Sequence, residues 1–70
     1  MPFVHVRMLK GRNSNQKRLL IAEITRAMVE IVGAAEDGVH VVIDEVDAEN
    51  WGRGGLPLAT PEEQADVVST

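Results

Sequence analysis

Residues 14–32, SNQKRLLIAEITRAMVEIV, hold the pattern that decides the fold. At about 100° per residue, the main apolar set falls within an arc of roughly 140°, which predicts an amphipathic helix. Asn13 and Gln16 have the spacing of a capping box at the start of this helix, and Gly33 is a natural stop. The apolar set comprises Leu20, Ile21, Ile24, Ala27, Met28, Ile31 and Val32.

The polar side of this helix carries two apolar residues that break the pattern. Leu19 and Val29 fall among the charged and polar residues of that side. They are either surface residues that the protein tolerates or part of a subunit contact. The polar set comprises Arg18, Glu23, Thr25, Arg26 and Glu30.

A strand is predicted on each side of the helix. Residues 3–9 alternate, with Val4, Val6 and Met8 on one face and Phe3, His5 and Arg7 on the other. Residues 39–46 are rich in β-branched side chains, and residues 34–38 form the turn before them. Strand, helix and strand make a βαβ unit of the α+β class, with parallel strands and a right-handed crossover.

The rest of the chain carries weaker signals. Residues 47–56 predict a loop or a short irregular hairpin, because they hold three of the six glycines and the single tryptophan. A tail at 57–70 follows, with a short helix expected near 61–67. Residues 1–70 are therefore expected to form one domain, with a core at 2–56.

The length of 70 residues makes the core of this domain marginal. Small domains usually add disulfides, a metal or subunit partners, and the chain has no cysteine. His5 and His40 show no metal-ligand spacing, so no metal site is expected. Two parallel strands also leave one sheet face and both edges bare. Oligomerisation is the expected source of the missing stability.

Charge and hydropathy exclude further classes. The net charge is −4 and the bases are scattered, which argues against a nucleic-acid partner. No apolar stretch is long enough for a membrane span, and the N-terminus lacks the pattern of a signal peptide. A cytoplasmic protein is the expectation.

Candidate catalytic groups are few. Gly52, Gly54 and Gly55 do not have the spacing of a phosphate loop. The acids near residues 44–47 could perform acid/base chemistry or form a solvated strand end. Pro2 follows the initiator methionine, and removal of Met1 would leave a secondary amine. An apolar surrounding and a nearby cation lower the pKa of such an amine, which makes it a general base.

Five short motifs then occur in a characteristic order. They are PFVHVRML from Pro2, Gly11-Arg12, NQK at 15–17, VVIDEV at 41–46 and NWGRGG at 50–55. Together they resemble the tautomerase superfamily, specifically the short 4-oxalocrotonate tautomerase type, over about 55 residues. Each motif is weak alone, and their combination is fairly specific.

The resemblance implies an isomerase that needs no cofactor and acts on small enol or keto carboxylic acids. Pro2 matches the catalytic base of the family. Arg12 matches the arginine that binds the substrate carboxylate, for which a guanidinium is well suited. Trp51 stands where the family usually has phenylalanine or tyrosine, as an apolar wall of the pocket.

The sequence departs from the family pattern at the second arginine. His40 occupies that position, and a neutral imidazole cannot replace a bidentate guanidinium. Arg53, where the family commonly has an apolar residue, is a candidate substitute. Both residues are therefore possible substrate-binding groups or ordinary surface residues. The tail at 57–70 is the second departure.

The resemblance also implies an assembly. Two βαβ units would form a four-stranded sheet with two helices, and three such dimers would form a homo-hexamer. Two other functions stay open from the sequence. One is a hydratase or dehalogenase in which protonated Pro2 is the acid and Glu45 or Asp47 activates water. The other is a binding module without catalysis.

Overall fold

The computed structural model describes residues 1–59. Strand β1 (Phe3–Leu9) leads into helix α1 (Ser14–Ala27), which continues as a π-helical turn (Met28–Val32). Strand β2 (His40–Val46) closes the unit. The predicted strand, helix and strand are thus confirmed, although the last turn of the helix is π-helical.

Short elements surround β2. A 3-10 turn (Glu36–Gly38) precedes this strand and a second one (Ala48–Asn50) follows it. Strands β3 (Gly52–Arg53) and β4 (Leu56–Pro57) then pair as an antiparallel hairpin. The hairpin interpretation of residues 47–56 is therefore correct. The helix expected near residues 61–67 lies outside the described residues.

The two long strands pair in parallel, as predicted. Phe3 lies opposite His40 at the amino end, and Leu9 lies opposite Val46 at the carboxyl end. The seven pairs follow one another without a bulge, so the residues of each pair lie on the same face of the sheet.

Both ends of the helix have the local interactions that the sequence predicts. The Gln16 amide donates to Asn13 Oδ1 at 2.8 Å, and the Asn13 amide donates to Gln16 Oε1 at 3.0 Å. Gly33 ends the helix with a φ of 81°, and its N–H donates to the carbonyls of Met28 and Val29. A left-handed φ of this kind is costly for residues with a Cβ, so glycine suits the position. No helix within residues 1–59 is long and apolar enough to cross a membrane.

Helix α1 covers one face of the sheet. From Phe3 to Met8 the exposed and half-buried side chains alternate, with Val4, Val6 and Met8 half-buried, and Leu9 at the end of the strand is half-buried too. Lys17 Nζ on α1 lies 2.8 Å from Glu45 Oε1 of β2, which places the helix on this face. The predicted inward set of β1 is therefore the covered one.

The opposite side of the sheet, called here the open sheet face, has no covering element within residues 1–59. The rings of Phe3 and His40 stack on it with centroids 6.5 Å apart. Arg7 Nε donates to Asp44 Oδ2 at 3.2 Å, and His5 Nε2 lies 3.7 Å from the same oxygen. The open sheet face comprises Phe3, His5, Arg7, Leu9, His40, Val42, Asp44 and Val46.

The single chain has little core of its own. None of the residues 1–59 is fully buried. Ile31 and Val32, which belong to the predicted apolar side of the helix, are 82% and 66% exposed. A 19-residue helix is about 28 Å long and a seven-residue strand about 23 Å, so the last turn extends past the sheet. Leu19 is also exposed, whereas Val29 is half-buried.

Candidate active site

Pro2 and His40 lie together at the amino end of the sheet. Pro2 is half-buried directly before β1, and its carbonyl accepts a hydrogen bond from the His40 N–H at 2.9 Å. The Met1 amino group donates to the Gly38 carbonyl at 2.6 Å. A Cβ on Gly38 would come within 3.2 Å of the Met1 carbonyl oxygen, so glycine permits this close approach. The first residues are thus held against the start of β2.

Arg12 lies at the opposite end of the sheet, in the loop between β1 and α1. Two residues before it, the Lys10 N–H donates to the Val46 carbonyl at 3.1 Å. Lys10 Nζ also lies 3.0 Å from Asp47 Oδ1. These two interactions tie the loop that carries Arg12 to the segment that leaves β2.

Trp51 and Arg53 belong to the hairpin that follows. The Leu58 N–H donates to the Trp51 carbonyl at 2.9 Å, which extends the hairpin by one step beyond the β3–β4 pair. Trp51 is extended, with φ −112° and ψ 106°. Because alternate residues of an extended strand point to the same side, Trp51 and Arg53 share one face of the hairpin.

The turn of this hairpin depends on two glycines. Gly54 and Gly55 have φ values of 65° and 89°. Positive φ at both central positions is typical of a type I′ turn, which joins strands of right-handed twist. Arg53 stands directly before this turn and opposite Leu56, and its side chain is exposed.

Most of the basic side chains are engaged by neighbouring residues. Lys10, Lys17, Arg7 and Arg26 pair with carboxylates, and Arg18 donates to Asn15 Oδ1. Glu23 and Glu30 raise the pKa of Arg26, chiefly through the hydrogen bond that the Arg26 guanidinium donates to Glu23. Within residues 1–59, the two remaining basic residues of the seven have no ion pair or side-chain hydrogen bond. They are Arg12 and Arg53.

The candidate residues therefore lie in separate places. Pro2 and His40 lie at the amino end of the sheet, Arg12 lies in the loop at its carboxyl end, and Trp51 and Arg53 belong to the hairpin that follows β2. The amino and carboxyl ends of the sheet are separated by the length of one seven-residue strand, about 23 Å. That length exceeds the reach of an arginine side chain, so one chain does not bring Pro2 and Arg12 together.

The acidic candidates for a water-activating role are paired with lysines. Glu45 binds Lys17, and Asp47 binds Lys10. Within the described residues 1–59, no group of three metal-ligating side chains lies close enough to hold a metal ion. An open groove of about 390 Å³ contains none of the predicted site residues. It is lined by Ala22, Thr25, Arg26, Val29, Glu30 and Glu36.

Two contacts at the site are absent from the sequence-based prediction. One is the stack of Phe3 on His40, and the other is the Lys10–Asp47 ion pair that joins the carboxyl-end loops. Both join residues far apart in the chain. The first follows from the strand register, which places residue 3 opposite residue 40 and which the sequence analysis did not predict.

Comparison with known proteins identifies the family. The family of tautomerase enzymes matches residues 2–60 of the sequence. The chain belongs to the tautomerase family. Its resemblance to the 4-oxalocrotonate tautomerase type is therefore confirmed, and the protein is an isomerase. The binding-module interpretation without catalysis is set aside.

Two relatives of this tautomerase show how far the likeness extends. The 2-hydroxymuconate tautomerase of Comamonas testosteroni is 48% identical over 56 residues, which cover 80% of this chain and 89% of that protein. A probable tautomerase of Dickeya dadantii is 41% identical over 66 residues, which cover 93% of this chain and 98% of that protein.

The fold of this tautomerase also has solved counterparts. A structure from a study of the 4-oxalocrotonate tautomerase isozymes of Methylibium petroleiphilum superposes with a TM-score of 0.75 at 44% identity. The superposition covers 81% of this chain and 92% of that one. The βαβ unit with parallel strands is thus the fold of this family.

Proposed function

We propose that this tautomerase interconverts enol or dienol carboxylic acids with α,β-unsaturated keto acids, with the amine of Pro2 as general base. The observation that carries the proposal is the position of Pro2, half-buried at the amino end of β1 with its carbonyl bound to β2. Removal of Met1 frees this nitrogen. The name of the Comamonas testosteroni relative supplies the first substrate to test, 2-hydroxymuconate.

The proposed reaction is a proton transfer within one molecule. The Pro2 nitrogen accepts the proton of the enol hydroxyl, and the electron pair left on oxygen forms the carbonyl. The protonated amine then returns a proton to a carbon of the dienol. No atom is gained or lost, which is the balance of an isomerisation.

Arg12 and Trp51 complete the proposed site. The Arg12 guanidinium, which has no partner within residues 1–59, binds the carboxylate next to the enol through two parallel hydrogen bonds. Its charge and the apolar indole of Trp51 both lower the pKa of the Pro2 amine. His40 has no assigned catalytic role in this proposal; it lies next to Pro2 on the open sheet face.

A second copy of the chain brings these groups together. If two copies pair antiparallel along their sheet edges, the amino end of one sheet lies beside the carboxyl end of the other. Pro2 of one copy then faces Arg12 of the second. We extend this to the homo-hexamer of three such dimers, which would also cover the exposed apolar residues. A single domain acting in the cytoplasm completes the proposal.

The replacement Pro2→Ala tests the base directly. Alanine is also small, so Met1 is still removed and a primary amine replaces the secondary one. We expect kcat/KM for 2-hydroxymuconate to fall by about 10²- to 10⁴-fold, the usual contribution of a positioned general base. The measurement is the absorbance change of the dienol, with intact mass confirming removal of Met1 in both proteins. Activity equal to that of the unmodified chain would refute the role of Pro2.

The pH dependence of the rate separates a base from an acid. A base acts when it is deprotonated, so kcat/KM should rise with pH through the titration of Pro2 and then level off. A rate that falls through the same titration would instead support the hydratase alternative, in which protonated Pro2 is the acid.

A further inference from the structure

We infer that Lys10 keeps Arg12 available to the substrate by occupying Asp47, a carboxylate that would otherwise pair with the Arg12 guanidinium. This inference rests on the proposed function, in which Arg12 binds the carboxylate next to the enol. Lys10 is a positioning residue in this account, because it acts on the substrate only through Arg12. The acid at position 47 then has a role other than activating water.

The first support is the pairing on both sides of Arg12 in the chain. Lys10 Nζ lies 3.0 Å from Asp47 Oδ1, and Lys17 Nζ lies 2.8 Å from Glu45 Oε1. Arg12 stands between these lysines and has no ion pair or side-chain hydrogen bond within residues 1–59. The chain has 11 acidic and seven basic residues, so carboxylates are in excess. A guanidinium beside an unoccupied carboxylate would form a charge-assisted pair with it.

The second support is the short distance along the backbone between Arg12 and Asp47. The Lys10 N–H donates to the Val46 carbonyl at 3.1 Å, which places residue 10 beside the residue that precedes Asp47. Two residues of chain span at most about 7 Å, so the backbone of Arg12 stays close to this point. An arginine side chain is longer than the lysine side chain that already reaches Asp47 from position 10. Without Lys10, the Asp47 carboxylate is therefore a nearby competitor for the Arg12 guanidinium.

The third support is the burial of the pair. The Asp47 side chain is 30% exposed, whereas that of Lys10 is 63% exposed. A carboxylate that is partly removed from water gains more from a cationic partner than a fully solvated one does. Asp47 without Lys10 would thus attract another cation, and Arg12 is the unpaired cation of the same loop.

The replacement Lys10→Met tests the inference by leaving Asp47 without its lysine. We expect KM for 2-hydroxymuconate to rise about two- to fivefold, the range that a partly exposed ion pair supports. The value of kcat should stay nearly the same, because saturating substrate displaces the competing carboxylate. Adding Asp47→Asn should return KM to that of the unmodified chain, since the competitor is gone.

The double variant separates this role from a merely structural one. The Lys10–Asp47 pair is broken in Lys10→Met and in Lys10→Met/Asp47→Asn alike, whereas the backbone hydrogen bond from Lys10 to Val46 stays in both. If the pair only held the loop in place, the double variant would be no better than Lys10→Met. Recovery of KM therefore identifies the free carboxylate as the cause of the loss.

A double-mutant cycle shows whether Lys10 acts through Arg12. In the Arg12→Gln background, Lys10→Met should have no further effect on kcat/KM, because the guanidinium that Asp47 would capture is absent. The matched control is Arg18→Met, which removes a positive charge from the exposed side of α1. Arg18 donates to Asn15, so this control leaves no carboxylate unpaired and should not change KM.

Three results would overturn the inference and leave the proposed function standing. They are a KM that does not rise in Lys10→Met, a KM that stays raised in the double variant, and an equal loss in the Arg12→Gln background. A fall of kcat in the double variant would also overturn it, because Asp47 would then take part in the chemistry. An unmodified chain without activity toward 2-hydroxymuconate would overturn both the inference and the proposed function.

Discussion

At the scale of single residues, we propose that the guanidinium of Arg12, which has no partner within residues 1–59, binds the carboxylate beside the reacting enol. Arg12 is exposed, and no residue in the described range competes for it. The position of its loop in the fold is fixed by the Lys10–Asp47 ion pair and by the hydrogen bond from the Lys10 backbone N–H to the Val46 carbonyl. The loop thus presents an exposed guanidinium that pairs with no neighbour within residues 1–59.

Arg12→Gln is predicted to weaken turnover of 2-hydroxymuconate. Because the carboxylate next to the enol loses its charged partner, kcat/KM should fall by about 100-fold. Arg12→Lys should not restore full activity, because an ammonium lacks the planar fork. Steady-state kinetics measure these changes. An unchanged kcat/KM in Arg12→Gln would contradict the role of Arg12.

At the scale of elements, helix α1 begins with a complete capping box. Asn13 and Gln16 satisfy each other's backbone amides, and the helix packs only a half-buried side against the sheet. The cap therefore contributes to the stability of the helix in addition to its packing.

Asn13→Ala is predicted to lower the free energy of unfolding by about 1 kcal/mol, the usual value of an N-cap. Denaturant unfolding at a fixed protein concentration measures it, since assembly also contributes to stability. Ser14→Ala is the control, because Ser14 is exposed and has no side-chain bond within residues 1–59. A loss as large in Ser14→Ala as in Asn13→Ala would argue against the cap.

The elements are also what the sequence predicted best. The cap at Asn13, the stop at Gly33 and the alternation of residues 3–9 are local signals, and each was confirmed. The π-helical turn was not predicted, although Val29, which breaks the apolar pattern, lies in this turn and is half-buried. The shared face of Trp51 and Arg53 needed the hairpin register, which the glycine-rich sequence does not specify.

At the scale of the whole molecule, the open sheet face and the separated site groups both point to a need for a second copy of the chain. No residue in the described range is fully buried, and Pro2 and Arg12 lie at opposite ends of the sheet. The predicted strand at residues 3–9 already implies this separation, because Pro2 directly precedes it and Arg12 follows it. In the proposed assembly, a second copy supplies both the missing apolar contacts and the missing half of the site.

A lysine on the open sheet face is predicted to disrupt assembly and activity together. Val42 is 42% exposed in the single chain and lies in the middle of that face. Val42→Lys would place a charge where a second copy packs, which costs several kcal/mol if it is buried unpaired. Light scattering after size-exclusion chromatography should show a smaller species with reduced turnover. Ser14→Lys is the control, and an unchanged mass in Val42→Lys would contradict the packing of this face.

The central claim is that each site combines Pro2 of one copy with Arg12 of another. The most direct measurement mixes the inactive variants Pro2→Ala and Arg12→Gln, unfolds and refolds them together, and assays 2-hydroxymuconate. Random pairing places an intact Pro2 opposite an intact Arg12 in roughly a quarter of the sites, so roughly a quarter of the original activity should return. Each variant refolded alone should stay inactive. A mixture as inactive as its separate components would show that Pro2 and Arg12 act within one chain, and would contradict the account.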